Sequence, residues 1–422
     1  MNKLKEYKLN ELYRMSSGIS SSKAQAGNGY PFVSFRDIFN NTILPENLTE
    51  LMNTSDQERI KYSVKKGDVF ITRTSETPDE LAMSSVALKD YPNATFSGFA
   101  KRLRPIDNKK VYDEYMAFYF RSKYFRKIIN ANTIMTLRAS FNEEIFSYIK
   151  IQLPDYDTQV KIGDMLYKIE NKIQINNQIN NNLEELMKTI YQRWFIEFEF
   201  PNDDGKPYKS SGGRLVYNEE LKQNIPEEWE VKVLNDISNF VSGFAFSSND
   251  YTKNGKYKLY TIKNVQDGNI VSIVDNTLNE LPVNMPNECL LKPKDLIMSL
   301  TGNVGRVGLV YENNVLLNQR VLKIEPQNNL CYLYSLYRND FMKSRCEKIS
   351  SGTSQKNLSP IELGKQKVLY SKKIVGKFEE TNRSLIDTYV NNLIENQKLI
   401  ALKEFLLPML MNGQINVDDI EI

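Results

Sequence analysis

Residues Ile175–Asn182 read "INNQINNN", five asparagines in a segment whose apolar residues otherwise recur at helical spacing. Ile162, Ile169, Leu183 and Ile190 stand at multiples of seven, and the missing member of that series is Asn176. A second seam four residues on runs Leu166, Ile173, Asn180, Met187, Trp194. Together the seams make a heptad pattern from about Tyr156 to Phe198, with asparagine in one central layer. Pro201 ends it.

The C-terminal part of the chain repeats this arrangement. Phe378, Leu385, Asn392, Leu399 and Leu406 keep the seven-residue step, each 216 positions after its counterpart; Asn396 likewise matches Asn180, and Leu410 matches Trp194. In a single helix such asparagines could simply face solvent. Two helices with the same interruption in the same register point instead to a buried polar layer, which weakens a coiled coil but penalises every register that leaves an amide unpaired. If the helices run antiparallel, Asn176 opposite Asn396 places Asn180 opposite Asn392. The same register sets Leu166 against Leu406, Ile173 against Leu399, Met187 against Leu385 and Trp194 against Phe378, with Ile169 facing Lys403 as the one mismatch.

The duplication extends outside the helices. "YKLNELYRMSSGISSS" resembles "WEVKVLNDISNFVSGFAFSS", "YPFVSFRDI" resembles "YKLYTIKNV", and "VKKGDVFITRT" resembles "LKPKDLIMSLT", with offsets that drift as loops gain and lose residues. Within each half, "YPFVSF", "DVFITRT", "DLIMSL" and "RVGLVY" read as strands, and "DEYMAFYFRSKYFRKIIN" and "LYSLYRNDFMKSRCEKI" as helices. The expected architecture is α+β: two similar globular domains joined by two long helices that form an antiparallel coiled coil, as a pseudo-twofold internal repeat. The expected boundaries are residues 1–150 for the first domain, 151–200 for the first long helix and 201–228 for a polar linker that begins "PNDDGKPYKSSGG". The second domain then covers 229–370, the second long helix 371–412 and a tail 413–422.

A chain of 422 residues is too long for a single core, which agrees with this division. Its 41% hydrophobic and 25% charged content is that of a soluble protein, and no apolar run approaches the roughly 18 residues that cross a bilayer. The opening "MNKLKEYKLN" has no apolar signal core, and the three cysteines form no CxxC pair, so a cytoplasmic location with reduced thiols is expected. Histidine is absent, which removes the commonest general base, the usual catalytic triads and most transition-metal sites. No phosphate-binding glycine loop, GxGxxG, HExxH, amino-methyltransferase tetrapeptide or nuclease carboxylate-lysine cluster is found. A non-catalytic chain is therefore expected.

Charge follows the same boundaries. Residues 1–150 carry 23 Lys+Arg against 17 Asp+Glu, a net +6, and residues 231–370 carry 17 against 12, a net +5. Residues 151–230 and 371–422 carry −6 and −2. Two basic bodies on an acidic frame suit two contacts with a polyanion.

Motifs along the whole chain then resemble one family, the specificity subunits of type I restriction-modification enzymes. "IKIQLPDYDTQVKIGDMLYKIENKIQINNQINNNLEELMKTIYQRWFIEFEF" is similar to its central conserved region, a proline-led opening before a long helix that ends near "WF". "KSSGGRLVYNEELKQNIPEEWEVKVLNDIS" resembles the entry into its second recognition domain, and "SSGTSQKNLSPIELGKQKVLYS" and "FLLPMLMNGQI" resemble its distal conserved region. The first copy departs from the pattern with "TLRASFNEE" where "GTSQKNLS" would stand. The resemblance implies two target-recognition domains, each reading half of a split duplex DNA site. It also implies paired helices that set the gap and dock two methyltransferase (M) subunits, with restriction/motor (R) subunits in the full complex. S-adenosylmethionine and ATP would belong to those partners, so this chain is expected to hold no cofactor and no metal.

Base edges are read by Arg, Lys, Asn, Gln, Ser and Thr in loops. The candidates in the first half are Ser20, Ser22, Lys23, Arg36, Arg73, Thr74, Lys101 and Arg138. In the second half they are Ser247, Ser248, Lys263, Asn264, Thr301, Asn303, Arg306, Gln319, Arg320, Gln355 and Lys356. The competing reading is a duplicated scaffold without catalysis that binds protein or RNA on a similar helical frame; the identity of the bases read is not legible from one sequence.

Overall fold

The computed structural model describes residues 4–20, 23–75, 81–132, 139–352, 355–415 and 417. The chain divides into two compact units, residues 1–173 with 398–422, and residues 174–397. The division runs through the two long helices, Tyr156–Tyr191 and Lys372–Met411, so each unit holds one globular half and a stretch of each helix. Each half mixes helix and sheet.

In the first unit the strand Val69–Thr72 is buried at all four positions, as the apolar run "VFIT" requires in the interior of a sheet. It lies between Ser84–Val86 and Ala100–Pro105, with Tyr13–Ser17 beyond the latter, all antiparallel. A second sheet orders Leu51–Met52, Ala26–Val33 and Thr95–Phe96, the last pair parallel. Lys5–Lys8 pairs with Lys150–Leu153 and closes the half. The strand that contains "YPFV" stops at Val33 because Ser34 and Asp37 form a capping box: Ser34 Oγ accepts the Asp37 N–H at 3.2 Å, and Asp37 Oδ2 accepts the Ser34 N–H at 2.9 Å.

The second unit repeats the order. Ser238–Ser242, Val321–Pro326, Leu296–Ser299 and Val307–Leu309 form one antiparallel sheet. Thr277–Leu278, Tyr257–Tyr260, Val315–Leu317 and Leu290–Leu291 form the other, again with one parallel pair, Tyr257–Tyr260 beside Val315–Leu317. Glu230–Val233 pairs with Lys367–Tyr370, as the first and last strands pair in the other half.

Two details depart from the sequence reading. Each run read as one helix forms two: Asp113–Arg121 and Lys123–Asn132 in the first half, Leu330–Arg338 and Asp340–Ile349 in the second. Ser122 and Asn339 are extended and start the following helices, Ser122 Oγ accepting the Phe125 N–H at 3.2 Å and Asn339 Oδ1 the Phe341 N–H at 3.0 Å. This is the cap-over-interior preference of Ser and Asn. Inside the stretch read as linker, Leu215–Asn218 and Gln223–Pro226 form a hairpin. Aromatic anchors order it: Phe200 stacks on Tyr208 at 4.6 Å and on Trp229 at 5.3 Å, and Phe198, Phe200, Ile225 and Trp229 are buried.

Along the long helices, Ile162, Leu166, Ile169 and Ile173 share the first unit's core with Leu406 and Leu410. Met187 and Trp194 share the second unit's core with Phe378, and the Trp194 and Phe378 rings meet edge to face at 5.5 Å. Lys403, expected to face Ile169, pairs with the adjacent Glu170 at 2.7 Å while Ile169 is buried, so the charge of Lys403 is compensated. The first long helix widens at Gln192–Ile196 and is capped by Glu197, and Phe198, with a left-handed backbone (φ 61°), turns the chain before Pro201. The three cysteines are free and buried, and burial pushes the Cys346 thiol up to about 12. Among the described residues no helix is long and apolar enough to cross a membrane.

Candidate nucleic-acid interface

In each half, backbone hydrogen bonds tie five segments that are far apart in sequence into one cluster. In the first half Ile19 N–H donates to Phe96 O at 2.9 Å, Gly98 N–H to Ile19 O at 2.8 Å, Ser97 N–H to Val33 O at 3.0 Å, Arg73 N–H to Phe99 O at 2.9 Å and Phe141 N–H to Arg73 O at 2.8 Å. The second half repeats the set. Phe244 N–H donates to Leu317 O at 2.9 Å, Gln319 N–H to Phe244 O at 3.0 Å, Asn318 N–H to Tyr260 O at 3.2 Å, Leu300 N–H to Arg320 O at 3.0 Å and Leu358 N–H to Leu300 O at 2.8 Å. The bonds join loops where strands of the two sheets end, so the turns they hold are presented on rigid elements.

A glycine makes the close approach possible in each copy. A Cβ on Gly18 would overlap the Ser97 carbonyl oxygen, and one on Gly243 the Asn318 carbonyl oxygen. The parallel bridges Ile19 with Ser97 and Phe244 with Asn318 follow directly.

The first cluster gathers Ser20, Arg73, Thr74 and Lys101. Ser20 and Arg73 are exposed, and Thr74 pairs with Ser140 in a short ladder. Lys101 is 7% exposed, its Nζ donating to Ser17 Oγ at 2.8 Å. Burial, and then the Arg73 guanidinium beside it, hold the Lys101 ammonium below the usual lysine range. Arg36 is exposed on the helix Phe35–Asn40, outside the bonded loops, and Lys23 begins a short turn, Lys23–Gln25. Ser22 and Arg138 lie outside the described residues.

The second cluster gathers Thr301, Asn303, Gln319, Arg320, Gln355 and Lys356. Asn303, Gln319, Arg320 and Gln355 are exposed. Lys356 is partly covered and pairs with Glu347 at 3.0 Å, while its carbonyl accepts the Gly302 N–H at 3.0 Å. Thr301 is 3% exposed and bridges to Asn357, which makes it part of the scaffold of the loop. Asn264 is a clearer case. Its Nδ2 donates to Val271 O and Ile273 O, both at 2.8 Å, and its Oδ1 accepts the Thr261 N–H at 2.9 Å, so its amide is satisfied inside the protein. Lys263 is paired with Asp275 at 2.7 Å, and Arg306 donates to Gln266 Oε1 at 2.8 Å. Ser247 caps the turn Ser248–Asp250.

The four asparagines of the helical layer are brought together as well. Asn176 Nδ2 donates to Asn396 Oδ1 at 2.9 Å and to Glu395 Oε2 at 2.7 Å, and Asn392 Nδ2 donates to Asn180 Oδ1 at 2.9 Å. Asn180 Nδ2 reaches Tyr389 O at 3.1 Å.

Sequence reading missed Phe99, which is 68% exposed in a turn of the first cluster. Its only signal was an aromatic residue set between Gly98 and Ala100 in a turn. Among the described residues no group of acidic or cysteine side chains could hold a metal ion.

Comparison with known proteins agrees with this duplicated plan. The model of the family described as "Type I restriction modification DNA specificity domain" matches residues 1–185 and 226–403, one stretch for each half. The chain is 23% identical to the type I restriction enzyme HindI specificity subunit of Haemophilus influenzae, over 98% of this chain and 100% of that one. It is 26% identical to the MjaIX specificity subunit of Methanocaldococcus jannaschii, over 98% and 94%. Its fold is similar to the crystal structure of a type I restriction-modification S subunit from M. genitalium, with a TM-score of 0.57 and 15% identity over 97% and 96% of the two chains. The chain therefore belongs to the type I restriction-modification specificity subunits, the non-catalytic components that recognise the DNA target while catalysis lies in other subunits.

Proposed function

We propose that each globular half reads one half of a bipartite duplex DNA site through its bonded loop cluster. The observation that carries this reading is the repetition of one backbone hydrogen-bond set around five segments in both halves, with a different set of polar side chains exposed on each. Phosphate contacts fix position and base-edge contacts fix sequence, so a rigid cluster with exchangeable side chains suits a reader. Ser20 and Arg73 serve the first half, and Asn303, Gln319, Arg320 and Gln355 the second.

The two long helices pair in this reading as an antiparallel coiled coil. The asparagine layer sets its register, and the pair fixes the spacer between the half-sites and docks two methyltransferase subunits, which methylate adenine. Restriction/motor subunits join them in the full complex. The bonds Asn176 to Asn396 and Asn392 to Asn180 support that register. The basic globular halves and acidic helical segments support a division between DNA-facing and partner-facing surfaces. All of this would take place in the cytoplasm, where the DNA is.

Methylome sequencing of cells that express this subunit with its methyltransferase tests the reading. A single bipartite methylated motif is expected. A continuous motif, or methylation without sequence preference, contradicts it.

A further inference from the structure

Phe99 stands in a turn of the first loop cluster, 68% exposed, while its neighbours Phe96 and Ala100 are fully buried. Its backbone is pinned on both sides. The Phe99 N–H donates to Ser97 Oγ at 3.2 Å, the Ala100 N–H donates to Ser97 O at 3.0 Å, and the Phe99 carbonyl accepts the Arg73 N–H at 2.9 Å. The ring thus stands out of a turn that is itself held fast. Single exposed apolar side chains are common on proteins, so exposure alone says little.

Position says more. The residue that occupies the same slot in the second half is Arg320, whose carbonyl accepts the Leu300 N–H as that of Phe99 accepts the Arg73 N–H. Arg320 is exposed too. One backbone slot, held by the same bonds, therefore presents a phenyl ring in one half and a guanidinium in the other. Both are groups that contact bases: Arg reads guanine O6 and N7, and Phe packs on the thymine 5-methyl or on the face of a base. The Phe99 turn is bonded to the exposed cation Arg73, so a polyanion is the partner whose charge it fits.

We infer that Phe99 is a specificity-determining residue that makes an apolar contact with a base of the first half-site. The inference rests on the proposed reading of DNA by the loop clusters and adds to it a residue and a kind of contact.

The test uses the full chain in complex with its methyltransferase and duplexes carrying the methylated motif. Phe99→Ala is expected to weaken binding to the cognate duplex about 5- to 30-fold, leave affinity for random duplex unchanged, and relax the motif at one or two positions of one half only. Phe99→Leu should recover most of the loss if the ring packs on a methyl and little of it if the ring stacks on a base. Two probes locate the contact. Deoxyuridine in place of thymine weakens the wild type and not Phe99→Ala if the ring touches the 5-methyl; 2-aminopurine brightens with the wild type and not with Phe99→Ala if the ring stacks on an opened base. Either result supports the inference. Cognate binding by Phe99→Ala equal to wild type, an equal loss on random duplex, or no difference between the proteins with both probes overturns it. If the wild-type complex itself fails to discriminate cognate from random duplex, the reading of DNA by these clusters falls first, and this inference with it.

Discussion

Asn176 donates its amide to Asn396 Oδ1 at 2.9 Å, and Asn396 donates in turn to Asn177 Oδ1 at 2.8 Å. Asn176 is 0% exposed, and its own Oδ1 has no hydrogen-bond partner among the described residues. The layer is therefore held by directional bonds in a place where an aliphatic pair would pack better, which is the trade of stability for register that a polar seam residue makes.

Replacing one member should expose that trade. Asn176→Leu removes the donor to the buried Asn396 Oδ1, so the transition that includes the long helices should lose about 1–3 kcal/mol. Asn176→Leu with Asn396→Leu should recover part of that loss, because the buried Asn396 amide is then gone and Asn177, which it bonded, is exposed to water. Differential scanning calorimetry of the two variants checks this; a single substitution that stabilises the chain goes against the layer.

Gly18 and Gly243 are required for space. In Gly18→Ala the new methyl meets the Ser97 carbonyl oxygen, and in Gly243→Ala the Asn318 carbonyl oxygen, so each substitution should loosen its own cluster. Hydrogen exchange should quicken at Gly98 for the first and at Gln319 for the second, with specific DNA binding reduced by about tenfold or more. Unchanged exchange at both amides would show that the loops are not locked in this way.

The basic halves imply a salt-dependent affinity, since each neutralised phosphate releases counterions. Affinity for duplex DNA should fall steeply between low and moderate salt. Arg73→Gln, with an exposed cation removed, should reduce the slope of log affinity against log salt by about one if Arg73 meets a phosphate, and should relax the motif at one position if it meets a base. A flat salt dependence in the wild type would favour a scaffold for protein.

The helical pair as a ruler is tested by length. Removing one heptad from each long helix, symmetrically about the asparagine layer, shortens a helix by about 10 Å and keeps the seams in phase. At 3.4 Å per base pair this is about three base pairs, with about 100° of rotation between half-sites. The outcome expected is a spacer shorter by two to three base pairs with both half-sequences kept, or loss of binding. Normal binding with the original spacer would mean that the helices do not set the distance.

The parts legible in the sequence were those with a period. The seven-residue step exposed Asn176 and Asn396 because any departure from it stands out, and the repeat of "VSGFAFSS" against "MSSGISSS" marked both close-approach glycines without giving their reason. The loop clusters were not legible, because the bonds that build them join residues such as Arg73, Phe99 and Phe141, whose nearness depends on the finished sheets. Residue type alone also failed to separate Asn264, taken up by its own turn, from Gln319, which is exposed. Phe99 was missed for the opposite reason: polar types were sought, and its ring is apolar.

The central claim is that the two clusters read separate half-sites. Its most direct test is the methylome of cells that express the cognate methyltransferase with this subunit altered only at Gln319, Arg320 and Gln355, each changed to alanine. These exposed residues lie in the second cluster alone. The account predicts a bipartite motif in which one half is relaxed or changed while the other half and the spacer match those of the wild type. A change in both halves, or a motif unchanged in both, would contradict it.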